Sequence, residues 1–166
     1  MDELLKKYVH QNWDDISDHR NDKYYFVQAS DDMETVFSEV RYQLEAEIPE
    51  TLKAFYRNFG CGFLWLNQKQ KKGLYRILSP EEILDLYFEP DSGEIPDDFI
   101  TYRQNAWENL EENKLLAFCL FGEEGSLLYI SVEDGVIYYL SAAYKIADFL
   151  SDFLASLDQE VDYFIK

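Results

Sequence analysis

The sequence predicts an α+β fold: an antiparallel sheet of about five to six strands with helices packed on one face. Three observations carry that prediction. Apolar residues recur at spacings of three and four through residues 33–59, strand-length apolar runs fill residues 115–140, and a last helical stripe follows them.

Taken in order, residues 2–17 are the first helix candidate, with Leu5, Val9, Asn12, Trp13 and Ile16 on one face, all but Asn12 apolar. Tyr24-Tyr25-Phe26-Val27 reads as a short strand or packed loop. The next helix places Asp31 as its cap, Glu34 as the reciprocal partner, and Met33, Val36, Phe37, Val40 and Leu44 as its stripe. Pro49 opens another, with Leu52, Phe55, Tyr56 and Phe59 on one side. Gly60 can end it, because a residue without Cβ accepts positive φ. Strands follow at Phe63 to Leu66 and Leu74 to Leu78, joined by the polar turn Asn67 to Gly73. Ser79-Pro80-Glu81-Glu82 then forms a capping box with proline at the first helical position, and the short helix runs to about Phe88.

Glu89 to Asp98 reads as an acidic loop and Phe99 to Leu110 as partly helical. Leu115 to Phe121 is apolar on both faces, which suits a central strand. Ser126 to Glu133 and Val136 to Leu140 are two more strands. Asp134-Gly135 between them predicts a two-residue type I′ hairpin turn. The closing helix carries Ile146, Phe149, Leu150, Phe153, Leu154 and Leu157 on one side.

The length of 166 residues fits one domain, since most run to roughly 100–150 residues. A hydrophobic fraction of 47% excludes a disordered chain. The acidic start, Met1-Asp2-Glu3, lacks the basic and apolar regions of a signal peptide, and the longest apolar run is far short of the ~20 residues a membrane helix needs. The expected location is the cytoplasm. Cys61 and Cys119 accordingly read as buried, reduced thiols.

Few residues have the spacing that chemistry needs. His10 and His19 stand nine apart with no cysteine nearby and read as solvent-facing polar positions. No phosphate loop, nucleophile elbow or zinc-protease motif occurs. Gly60-Cys61-Gly62 follows a helix and precedes a strand, the reverse of a phosphate cradle, so it reads as a helix stop and tight turn. The acid pairs Asp97/Asp98, Glu123/Glu124 and Glu133/Asp134 lack calcium-loop spacing. Tyr138, Tyr139 and Tyr144 read as strand residues shared between core and surface. No catalytic residue, metal or cofactor is expected.

Charge is the most informative remaining feature. The net charge is −18, with a local +6 over residues 51–80 and −16 over residues 81–166. Such a chain is a poor match for nucleic acid or an anionic bilayer, because a binder must replace phosphate counterions with its own cations. Its natural complement is a basic protein, drawn in by a long-range field. The loop and turn acids Asp91, Glu94, Asp97, Asp98, Glu123, Glu124, Glu133 and Asp134 are the candidate partner contacts.

Four segments in order resemble the SUKH superfamily, which includes a fungal cell-wall regulator and many bacterial immunity proteins. They are Ile48-Pro49-Glu50-Thr51-Leu52-Lys53-Ala54-Phe55-Tyr56 running to Asn58-Phe59-Gly60-Cys61-Gly62; Tyr75-Arg76-Ile77-Leu78-Ser79-Pro80-Glu81-Glu82-Ile83; Phe118 to Tyr139 through Asp134-Gly135; and Ile146-Ala147-Asp148-Phe149-Leu150-Ser151-Asp152-Phe153-Leu154. The resemblance covers residues 30–158 and departs at Cys61, which interrupts the usual Gly-Gly step, and at Asp148, where a serine before Phe149 is usual. It implies a SUKH-like α+β domain over residues 1–166, with a variable N-terminal helix and loop over 1–29. It also implies the absence of a catalytic site, and an immunity role: binding and neutralising a cognate toxin, often a nuclease, which the charge suggests is basic. A regulatory scaffold of the cell-wall type and a small-ligand-binding domain are the alternative readings.

Overall fold

Eight strands form one sheet among the described residues, and their order across the sheet is their order in the chain. The structure is a computed structural model that describes residues 2–19, 22–28, 32–64, 75–88, 97–121 and 126–159. The strands are β1 (Val9–His10), β2 (Tyr24–Val27), β3 (Cys61–Leu64), β4 (Tyr75–Ile77), β5 (Leu115–Phe121), β6 (Ser126–Ser131), β7 (Ile137–Tyr139) and β8 (Lys145–Ala147). β1 and β2 are parallel, and every later neighbouring pair is antiparallel. The helices are α1 (Asp2–Lys6), α2 (Met33–Leu44), α3 (Glu50–Asn58), α4 (Pro80–Tyr87), α5 (Asp97–Asn113) and α6 (Leu150–Gln159). The α+β class is the predicted one, with more strands than the sequence suggested.

The extra strands come from the two ends. Residues 2–17 do not form one helix: α1 stops at Lys6, Tyr8 N–H closes its last turn on Leu5 O at 3.0 Å, and Val9 and His10 then pair with Phe26 and Val27. A free strand edge to pair with outweighs a helical spacing that two polar stretches interrupt. At the other end, Ile146 belongs to β8, with Ile137 opposite Ala147, and α6 begins only at Leu150. Phe149 is left 53% exposed, outside the apolar stripe.

Sequence signals in the middle of the chain translate directly. Ser79 Oγ accepts from Glu82 N–H at 3.1 Å and the Glu82 carboxylate accepts from Ser79 N–H at 3.3 Å, which completes the capping box of α4. The α2 cap is Asp32, one residue later than expected. It accepts from Thr35 N–H at 3.4 Å and from Thr35 Oγ1 at 2.7 Å, whereas Asp31 lies outside the described residues. Gly60 has φ +90, and a Cβ there would lie 2.0 Å from Val27 O, so both backbone angle and strand proximity require glycine.

Successive strand residues face opposite ways. On one face Phe26 meets Phe55 and Phe59 of the α3 end, and Tyr75 meets Phe153 of α6. On the other, Tyr25 and Val27 pack with Ile16 and Phe63 in a separate small cluster. The N-terminal segment therefore covers the second face at the β2–β3 end.

The β6–β7 connection differs from the expected two-residue turn. Ser131 N–H donates to Val136 O at 2.8 Å, so four residues, Val132 to Gly135, form the loop. Only Gly135 in it has positive φ (+75). Ser131 Oγ accepts from the N–H groups of Glu133 and Asp134, which sets the loop's shape.

Candidate functional site

The basic stretch 51–80 does not present a free positive surface where it is described. Lys53 pairs with Glu47 at 2.7 Å, Arg57 pairs with both Glu34 and Glu50 at 2.8 Å, and Arg76 pairs with Glu82. The Lys53 ammonium holds the Glu47 carboxyl below its ordinary range, chiefly by hydrogen bonding. Lys69, Lys71 and Lys72 lie outside the described residues. Each described cation of the stretch is thus paired with an acid.

A cleft of about 500 Å³ lies between the carboxyl ends of α2 and α5 and the β6–β7 loop, and Glu47 on its border is the acid already paired with Lys53. Glu45, Glu47, Glu111 and Glu133 border it, with Lys114 as the one cation among its lining residues and Trp107 as the aromatic wall. Two left-handed residues shape it: Glu45 (φ 53) ends α2 and Lys114 (φ 58) follows α5. Lys114 N–H closes the last turn of α5 on Leu110 O at 3.2 Å, and its carbonyl accepts from Val132 N–H at 3.0 Å, which fixes the loop against the helix end. Trp107 is held from behind, its Nε1–H donating to Tyr87 O at 2.7 Å.

The charges here run against the helix fields. A helix carboxyl end bears roughly half a negative charge and favours cations. This holds at α5, whose last turn has Glu111 and Glu112 and no base, whereas α2 ends on Glu45 with Arg41 in its last turn. Carboxylates, helix ends and the indole wall together favour a guanidinium or ammonium group.

A second depression, about 250 Å³ and largely apolar, lies between α1, α3 and α6, walled by Leu5, Ala54, Phe55, Phe59, Leu150 and Leu154. It adjoins the same loop: a Cβ on Gly135 would lie 3.4 Å from Thr51 Oγ1, and Thr51 lines this groove while Glu133 lines the cleft.

Of the sequence-predicted contacts, Glu133 and Asp134 are exposed in the β6–β7 loop. Asp97 and Asp98 begin α5 instead of lying in a loop, because the helix starts there, ahead of the predicted Phe99. Asp91, Glu94, Glu123 and Glu124 lie outside the described residues. Sequence reasoning missed Glu45, Glu47, Glu111 and Trp107. The acids at the α5 end were visible as a helix terminus with the wrong charge sign, a signal the charge count alone averages away.

Chemistry-bearing side chains are placed for packing. Cys61 and Cys119 are free and buried, and burial pushes the Cys61 thiol up to about 12. His10 and His19 are not apart in solvent. Their ring centroids are 4.6 Å apart, and His10 stacks on Tyr25 at 4.0 Å. No group of three or more metal-ligating side chains occurs among the described residues, and none of their helices is long and apolar enough to cross a membrane.

Compared with known proteins, residues 33–156 match the family described as SMI1 / KNR4 (SUKH-1). Neither a curated protein nor a solved structure matches the chain.

Proposed function

We propose that this chain, which belongs to the SMI1 / KNR4 family (SUKH-1), is a non-catalytic cytoplasmic immunity protein that binds and neutralises a basic, nuclease-type toxin. The observation that carries the reading is the acid-lined cleft, in which Glu111 sits in a last helical turn that holds no base. Such a placement costs the isolated protein about 0.3–1 kcal/mol. A local rule broken at the surface is the mark of a site with work to do, and a bound cation would relieve the cost.

A nuclease must offer a positive groove to phosphate. A rigid acidic face occupies that groove and excludes the polyanion without any bond being made or broken. Glu133 and Asp134 belong to this face together with Glu45 and Glu111. Asp91, Glu94, Asp97, Asp98, Glu123 and Glu124 are its further candidate members.

The test is co-expression with the product of the adjacent gene. Relief of its toxicity, with a complex that weakens as salt rises through the range that screens exposed charge, is the expected result. Toxicity that this protein fails to relieve refutes the reading.

A further inference from the structure

The N-terminal segment that covers the second face of the sheet carries both histidines of the chain. We infer that Tyr8 to His19 is an acid-released strap: a proton on each of His10 and His19 lifts it from β2 and uncovers Tyr25, Val27 and Phe63. The device does not depend on toxin binding, since none of these residues borders the acid-lined cleft.

Geometry carries the inference. His10 stacks flat on Tyr25, with ring centroids 4.0 Å apart, and its Nε2 is buried with no hydrogen-bond partner. A neutral ring can keep a proton-free nitrogen there, whereas an imidazolium would bury a charged N–H without an acceptor. The His19 ring lies 4.6 Å from His10 between centroids, so two protons would also set two cations side by side. The groups that face His10 from the elements around it are Tyr25 of β2, His19, Asp22 and Asp15, while Asp14 acts on Tyr25. Both aspartates near His10 and the Tyr25 ring attract a cation. The balance, led by burial and then by His19, nevertheless holds the His10 pKa below its ordinary 6.5. Docking of the strap is therefore full above that value and lost as pH falls through the folded one.

The far end of the strap is lightly attached. β1 is two residues long, no residue of the short helical turn Ile16–His19 is buried, and Trp13 lies at the edge of the cluster, against Tyr25 and Phe63. One hydrogen bond from Tyr25 Oη–H to Asn12 O, at 2.8 Å, ties its middle to β2. Leu5 is buried, so the start stays anchored while the end lifts.

The experiment follows amide hydrogen exchange and aromatic nuclear Overhauser contacts in the full chain from about pH 7.5 to about pH 5, with exchange corrected for its intrinsic pH dependence. Phe26 N–H, which donates to Tyr8 O at 2.9 Å, reports the strap, and Leu78 N–H, which donates to Phe118 O at 2.9 Å, reports the middle of the sheet. At the acid end Phe26 should lose at least about fivefold in protection relative to Leu78. The contact between the Trp13 and Phe63 rings, whose centroids are 5.8 Å apart, should weaken in step. His10→Phe, which stacks but cannot take a proton, should keep both, and His10→Gln serves if the first variant fails to fold. His19→Gln should shrink the loss at least about twofold, because one of the two facing charges is gone. Equal protection at both ends of the range, an equal loss at Leu78, or a Trp13–Phe63 contact that survives acid overturns the inference. So does an undiminished loss in the His10 or His19 variants.

Discussion

The phenolic oxygen of Tyr87 accepts a hydrogen bond from the Ala117 N–H at 3.0 Å, at the point where β5 slips register against β6. The last residue of α4 thus satisfies a backbone donor in the central strand. Both groups are buried.

Tyr87→Phe should therefore cost more than a lost exposed hydrogen bond, because it leaves a buried N–H unpaired. We expect about 1–3 kcal/mol in chemical denaturation, with the fold retained by circular dichroism. A loss below about 0.5 kcal/mol would mean that the bulge finds another acceptor.

Gly60→Ala should be far more damaging than an ordinary surface change. It forces a side chain to positive φ and drives Cβ onto Val27 O. The expected cost is about 2–5 kcal/mol, read as a lower denaturation midpoint. An alanine tolerated within about 0.5 kcal/mol, the ordinary surface range, would show that β2 can move aside.

Acidification should loosen the N-terminal segment. Burial first, then the neighbouring His19, holds the His10 pKa below its ordinary 6.5, and Asp22 and Asp15 act the opposite way. A lowered histidine pKa means that the folded segment binds fewer protons than the open one. Its contribution is thus full above the ordinary value and is lost as pH falls through the folded one. Trp13, stacked on Tyr25 with centroids 5.8 Å apart, reports the change. Its fluorescence should step at a midpoint below about 6.5 in the unmutated protein and stay flat in His10→Asn. The same step in both would assign it to another group.

Glu111→Lys should separate stability from binding. Replacing an acid at the carboxyl end of α5 by a base raises stability by about 0.3–1 kcal/mol. The same change should lower the association rate with a basic partner roughly tenfold at low salt, and the difference should shrink as salt rises. A rate that does not move would place the partner elsewhere on the surface.

How far the sequence could be read depends on the range of the interaction involved. The capping box of Ser79 and Glu82, the stop at Gly60 and the doubly buried β5 are local, and each was legible from residues a few positions apart. The N-terminal segment was not. Leu5, Val9, Trp13 and Ile16 repeat at helical spacing, but Val9 is claimed by Phe26, a partner that periodicity cannot see. The site was legible only as a sum. Total charge announced an acid surface, yet which carboxylates remain unpaired depends on contacts such as Arg57 with Glu34, 23 residues apart. The cleft itself is assembled from three segments, near 45, 110 and 133.

Strand order that follows chain order has a consequence for how the protein is made. Each strand finds its partner in the one synthesised just before it, so the sheet can be laid down edge to edge as the nascent polypeptide emerges. None of the described strands has to wait unpaired for the C-terminus, which shortens the interval in which hydrophobic edges are open to aggregation. The acidic loop between β6 and β7 is then set by neighbours already in place, such as Lys114, whose carbonyl accepts from Val132 N–H.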